Sequence, residues 1–112
     1  MECAYCKLEI FLPEEDLPAL EAALLAADAG HIGRYSGCFS YSPVTGCWRS
    51  PQDAHPHVGA PGEACRAPEV KVEVTCRTVR VRETVAAVKA VHPYEEPVIN
   101  VIPLWGTGLD ET

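Results

Sequence analysis

The sequence is short of the features that mark several large functional classes. No Lys/Arg cluster occurs: nine basic residues are spread among sixteen acidic ones, for a net charge of −7. Such a surface cannot neutralise a run of phosphates, which argues against nucleic-acid binding. No apolar run nears the roughly 20 residues that span a bilayer. The N-terminal MECAYCKLEI has no basic segment followed by an apolar one, so the sequence reads as lacking an export signal, and a cytoplasmic location is expected. No dinucleotide fingerprint, nucleophile elbow, Ser-His-Asp set or Cys-His set is marked, and a non-enzymatic protein is expected.

Cysteine, by contrast, is plentiful: Cys3, Cys6, Cys38, Cys47, Cys65 and Cys76. Without an export signal, reduced and mostly buried thiols are the expected state. Cys3-Ala4-Tyr5-Cys6 has the spacing of half a zinc site. No second such pair follows, and strand residues three apart face opposite sides.

The length of 112 residues suits a single domain over 1–112. Cys6, Leu8 and Ile10 alternate with Lys7 and Glu9, the pattern of a half-buried strand that Pro13 ends. Leu17, Leu20, Leu24 and Ala27 then share one helical face, predicting a helix over 14–29 with Gly30 as its left-handed C′ residue. Residues 35–41 and 47–49 around Pro43-Val44-Thr45-Gly46 read as a short hairpin. Residues 50–68, rich in proline and glycine, read as a long loop. Val70, Val72, Val74 and Cys76 alternate with polar residues in the clearest strand. Val81, Val85 and Val88 predict a helix stopped by Pro93. Val98 to Leu104 reads as a final strand buried on both faces.

The order predicts an α+β ferredoxin-like sandwich, βαββαβ with an extra short hairpin strand. Two helices cover one sheet face. The other is expected to be apolar and to find a partner, either another subunit or another protein.

Four motifs carry a resemblance: GHIGRYSGCFS at 30–40, HPHVG at 55–59, EVKVEV at 69–74 and HPYEEPVINVIPL at 92–104. Together they resemble the YqfO-type domain of the NGG-interacting-factor family, in its standalone form. The HPYEEP strand entry is also similar to CutA, the divalent-cation tolerance protein. The resemblance implies a CutA-like ferredoxin fold and a homotrimer. It also implies a regulatory or metal-tolerance role in which a divalent metal (copper or zinc) or a small ligand is bound. An asparagine usually stands where this chain has Arg34, and phenylalanine-proline follows the hairpin glycine where this chain has Cys47-Trp48-Arg49-Ser50. The resemblance covers this domain alone, so the metal-dependent hydrolase chemistry of the larger family is only a remote alternative.

The expected metal ligand is His92, joined by His31 and Glu96. Arg34, Tyr35, Cys38, Tyr94 and Glu95 are the ligand or interface candidates. The glycine-rich joint after the first helix and HPYEEP after the second are expected at one end of the fold. Two features weaken the metal reading. His92 and its prolines equally make a helix stop and a strand start. In an extended segment Glu95 and Glu96 would face apart. His55 and His57 could clip a metal with Glu63 and Cys65, or simply sit in a solvated loop. A pure protein–protein interaction module with no ligand is the main alternative.

Overall fold

The computed structural model describes residues 3–57 and 59–109. Four strands and two helices follow in the order β1 (Tyr5–Leu12), α1 (Leu17–Ala26), β2 (Ser40–Arg49), β3 (Ala64–Arg77), α2 (Val81–Val91) and β4 (Ile99–Leu104). The sheet order is β2-β3-β1-β4, with every neighbouring pair antiparallel. This is the ferredoxin-like sandwich that the periodicity predicts.

Alternation decides which face is covered. Cys6, Leu8, Ile10 and Leu12 of β1 pair in register with Cys76, Val74, Val72 and Val70 of β3. Leu20 and Leu24 of α1 and Val88 of α2 close over them, giving one core. Thr84 is also fully buried, and its hydroxyl donates to the Arg80 carbonyl at 2.8 Å, so burial leaves no orphan polar atom there.

The first helix is shorter than 14–29. A 3₁₀ turn at Glu14–Asp16 leads in, and the helix ends at Ala26. Gly30 has its own left-handed φ of 79° but falls two residues further on, and Asp28, with φ 61°, is the C′ residue in its place. Its N–H donates to the Leu25 carbonyl and that of Ala29 to Leu24, the two bonds of a Schellman cap. Gly30 has another task. A Cβ there would strike the Cys38 backbone, which the Gly30 carbonyl binds at 2.9 Å.

Two further expectations fail. The short hairpin at 43–46 is absent: β2 runs unbroken through Pro43 and Gly46, opposite Val70 and Ala67. β2 is an edge strand, where a residue without an N–H is tolerated. The loop ends at 63, because β3 already includes Pro68. β4 is the opposite edge, and in the single chain Val98 and Val101 are exposed, on the side where another subunit or loop is expected to cover them.

The uncovered sheet face is not apolar at its centre. Lys7 lies 2.8 Å from Glu73 and 3.5 Å from Glu9, and Lys71 lies 3.4 Å from Glu9. This network corrects the expectation of an apolar open face.

Candidate functional site

The helix stop at HPYEEP is built by bonds as well as prolines. His92 leaves the helix with extended backbone (φ −79°, ψ 131°), and its N–H still closes the last turn on Val88. Its ring Nε2–H donates to the Phe11 carbonyl at 2.7 Å, and its Nδ1 accepts the Tyr94 N–H at 3.2 Å. One tautomer satisfies both contacts, and the ring is neutral in it. Burial lowers the His92 pKa from 6.5, which the Phe11 carbonyl and the Asp16 and Glu69 carboxylates offset in part. Both nitrogens expected to ligate a metal are thus used inside the chain.

Tyr94 is the hub of the region. Its ring lies 4.9 Å from His92, 5.9 Å from His57 and 6.5 Å from Trp48, centroid to centroid. Its hydroxyl donates to Glu69 Oε2 at 2.5 Å, a charge-assisted bond to a carboxylate only 8% exposed. Burial, and then the Glu69 carboxylate, push the phenol pKa far above its ordinary 10.0. Glu69 lies over Gly46 of β2, where any Cβ would collide with its carboxylate. The missing side chain on β2 is what lets Glu69 reach Tyr94.

Beside this hub opens a cavity of about 420 Å³. Trp48, His57, Glu69, Tyr94, Glu95 and Glu96 contribute to its lining. The loop after β2 forms its outer wall and is tied to the joint by the His55 N–H on Glu95 Oε1 at 3.3 Å. Glu95 and Glu96 both face the cavity because the chain bends at 94–96. The expectation that an extended backbone splays them apart is corrected.

The other expected site residues lie elsewhere. The Gly30 N–H bonds Thr75, which stands opposite Lys7, whereas His92 bonds Phe11, opposite Lys71. The two joints are therefore about 13 Å apart along β1, at 3.3 Å per residue. Their separation follows from topology. β1 and β2 run one way and β3 and β4 the other, so α1 and α2 are antiparallel and end toward opposite ends of the strands. His31 pairs with Asp28 at 3.0 Å, and its pKa is raised by that carboxylate. Arg34 and Tyr35 are exposed near it, in a tight turn closed by the Ile32–Tyr35 bridge. Cys38 is half-buried, and its N–H bonds the Gly30 carbonyl. His92, His31 and Glu96 therefore do not meet in one chain.

His57 turns toward the start of α1 rather than to Glu63 and Cys65. One donor atom from each of Glu15, Asp16 and His57 lies within 4.8 Å of the other two. All six cysteines are free, and Cys6 and Cys76 are buried register partners. Neither Glu69 nor Gly46 is legible as a hub residue in the sequence, where Gly46 carries only a turn signal. Glu69 looked like one polar position of an alternating strand, and its partner Tyr94 lies 25 residues on.

No family model matches the chain. In sequence it is similar to a Listeria innocua protein named GTP cyclohydrolase 1 type 2 homolog, 36% identical over 101 residues. The match takes in 89% of this chain and 27% of that protein. A Mycobacterium tuberculosis protein of the same name is 39% identical over 98 residues, covering 88% and 26%. The chain thus spans about a quarter of the length of the curated relatives it matches. In structure it is similar to a Bacillus cereus protein related to NIF3, with TM-score 0.80, 32% identity, and coverage of 97% of this chain and 28% of that one. The periplasmic divalent cation tolerance protein CutA of Archaeoglobus fulgidus aligns with TM-score 0.69 at 22% identity over 92% and 86%. At that identity the likeness shows the fold alone, which is CutA-like.

Proposed function

We propose that this chain is a YqfO-type, CutA-like domain that works as a homo-oligomer, a trimer by its resemblance. In this reading it binds a small ligand, without catalysis and with a regulatory outcome, in the cavity beside Tyr94. The observation that carries it is the cavity itself. Two aromatic residues, Trp48 and Tyr94, line it together with three acidic ones, Glu69, Glu95 and Glu96. Aromatic faces and carboxylates together favour a small organic cation or a planar molecule rich in N–H donors.

Catalysis is disfavoured by the same geometry. The Tyr94 phenol is held protonated and spends its proton on Glu69, so it is not poised to exchange protons near neutral pH. The cyclohydrolase name of the longer relatives belongs to proteins of which this chain matches about a quarter, and it is not transferred here.

Thermal-shift and calorimetric titrations with polyamines, guanidino compounds and nucleobases test this reading, with dicarboxylates as the control class. A cationic or donor-rich compound is expected to raise the melting temperature, and Trp48→Ala is expected to abolish the rise. Equal silence from every class, or a shift that survives Trp48→Ala, would refute the cavity reading. A pure interaction module is the second reading. The exposure of Trp105 (82%) and Val79 (85%) favours it, and it predicts silence across the panel.

A further inference from the structure

Asp16 occupies the N-cap of α1, where a carboxylate ordinarily accepts the N–H of the second or third helical residue. Here the second residue is Pro18, which has no N–H, and Asp16 makes no cap bond. Its Oδ2 is nevertheless buried and has no hydrogen-bond partner among the described residues. A buried carboxylate oxygen without a donor is costly unless something cationic meets it. No salt bridge among the described residues involves Asp16 or Glu15.

What does approach them is the ring of His57, from the loop after β2. Its nitrogen and one carboxylate oxygen each of Glu15 and Asp16 lie within 4.8 Å of one another. We propose that Glu15, Asp16 and His57 form a divalent-cation site that joins the loop after β2 to the start of α1. Two carboxylates and an imidazole carry a formal charge of −2 and offer oxygen and nitrogen donors, a set suited to zinc or manganese. Bonds of about 2.1 Å in a tetrahedron place donor atoms about 3.4 Å apart. The donor atoms already lie within 4.8 Å of one another, and Glu15 and His57 are exposed, so side-chain rotation can bring them closer.

Three protein ligands leave a coordination position for water or for an added molecule. His57 also lines the cavity, so a bound cation would stand at its rim. The site is separate from the expected set of His92, His31 and Glu96, and it uses no cysteine. It would fix the loop over Tyr94 whether or not the cavity takes an organic ligand.

Isothermal titration of the full chain with zinc chloride alone, and with manganese and calcium chlorides for comparison, tests the site independently of the cavity. One zinc per chain is expected, with calcium much weaker. Asp16→Asn and His57→Asn should each weaken zinc at least tenfold, as should Glu15→Gln at an exposed position. His31→Asn should leave the affinity unchanged. Cobalt substitution should give a spectrum free of thiolate charge-transfer bands. Absence of zinc binding, equal affinity in the three site variants, or thiolate bands in the cobalt spectrum would each overturn the assignment. Glu15→Gln keeps the test decisive if either of the other two folds poorly.

Discussion

Two histidines, both named from the sequence as metal ligands, have pKa values shifted in opposite directions, and the physical causes differ. His92 is held neutral by burial, with its pKa below 6.5. As pH falls through about 6.5, the unfolded chain takes up a proton that folded His92 resists, so stability is lost toward acid. His31 has a folded pKa raised by Asp28, so its contribution is present below about 6.5 and disappears as pH rises through the folded value. That contribution is small, because the pair is exposed and solvent screens it. Urea unfolding between pH 8 and pH 5.5 separates the two. In His92→Asn the loss of stability toward acid should shrink relative to wild type, and in His31→Asn it should grow. An unchanged pH slope in His92→Asn would contradict a neutral folded imidazole. HPYEEP was legible as a helix stop from its prolines and position. That both ring nitrogens are spent on Phe11 and Tyr94 was not, because one partner is a backbone carbonyl 81 residues away.

At the scale of elements, strands whose partners cover one face are legible from alternation alone. Lys7 and Glu9 against Leu8 and Ile10 predict β1, and the valines of 70–74 predict β3. β2 was misread because Pro43 and Gly46 carry turn signals that an edge strand overrides. The structure gives Gly46 a reason that local sequence cannot supply: it leaves room for Glu69 across the β2–β3 ladder. Gly46→Ala must push that carboxylate off the Tyr94 hydroxyl. Overpacking and a weakened buried bond each cost about 1–3 kcal/mol, so Gly46→Ala should lower the unfolding free energy by about 2 kcal/mol or more. Tyr94→Phe removes the same bond from the other side. If both act through Glu69, the double variant should lose clearly less than the sum of the two, as read from denaturant midpoints. Strict additivity would mean that Gly46 serves the strand alone.

At the scale of the whole molecule, the chain is longer than a compact domain of its size. A radius of gyration of about 13 Å is expected for this length, against 15.3 Å, with extents of 50 × 30 × 23 Å. The excess is the β2–β3 arm, where residues 64–68 alternate between half-buried and exposed and no helix covers them. A two-stranded arm standing alone is marginal in water. The opposite edge, β4, has only six residues and leaves Val98, Val101 and Trp105 exposed. An uncovered arm on one side and an unpaired apolar edge on the other suit repeated contact between identical chains, and such contacts close into a ring when the rotation permits. This geometry, beside the resemblance, motivates the proposed trimer. Sedimentation equilibrium should then give three times the 12.1 kDa chain mass. Val101→Lys places a charge on the β4 edge and should shift the mass toward that of one chain while the far-ultraviolet spectrum is retained. A wild-type mass of one chain at micromolar concentration would refute self-assembly, and a dimer would refute the three-fold arrangement. Salt offers a second discriminator. The charged network of Lys7, Glu9, Lys71 and Glu73 is already paired within the chain. Assembly driven by the apolar edges should therefore persist at high ionic strength, where an assembly held by exposed charges would come apart.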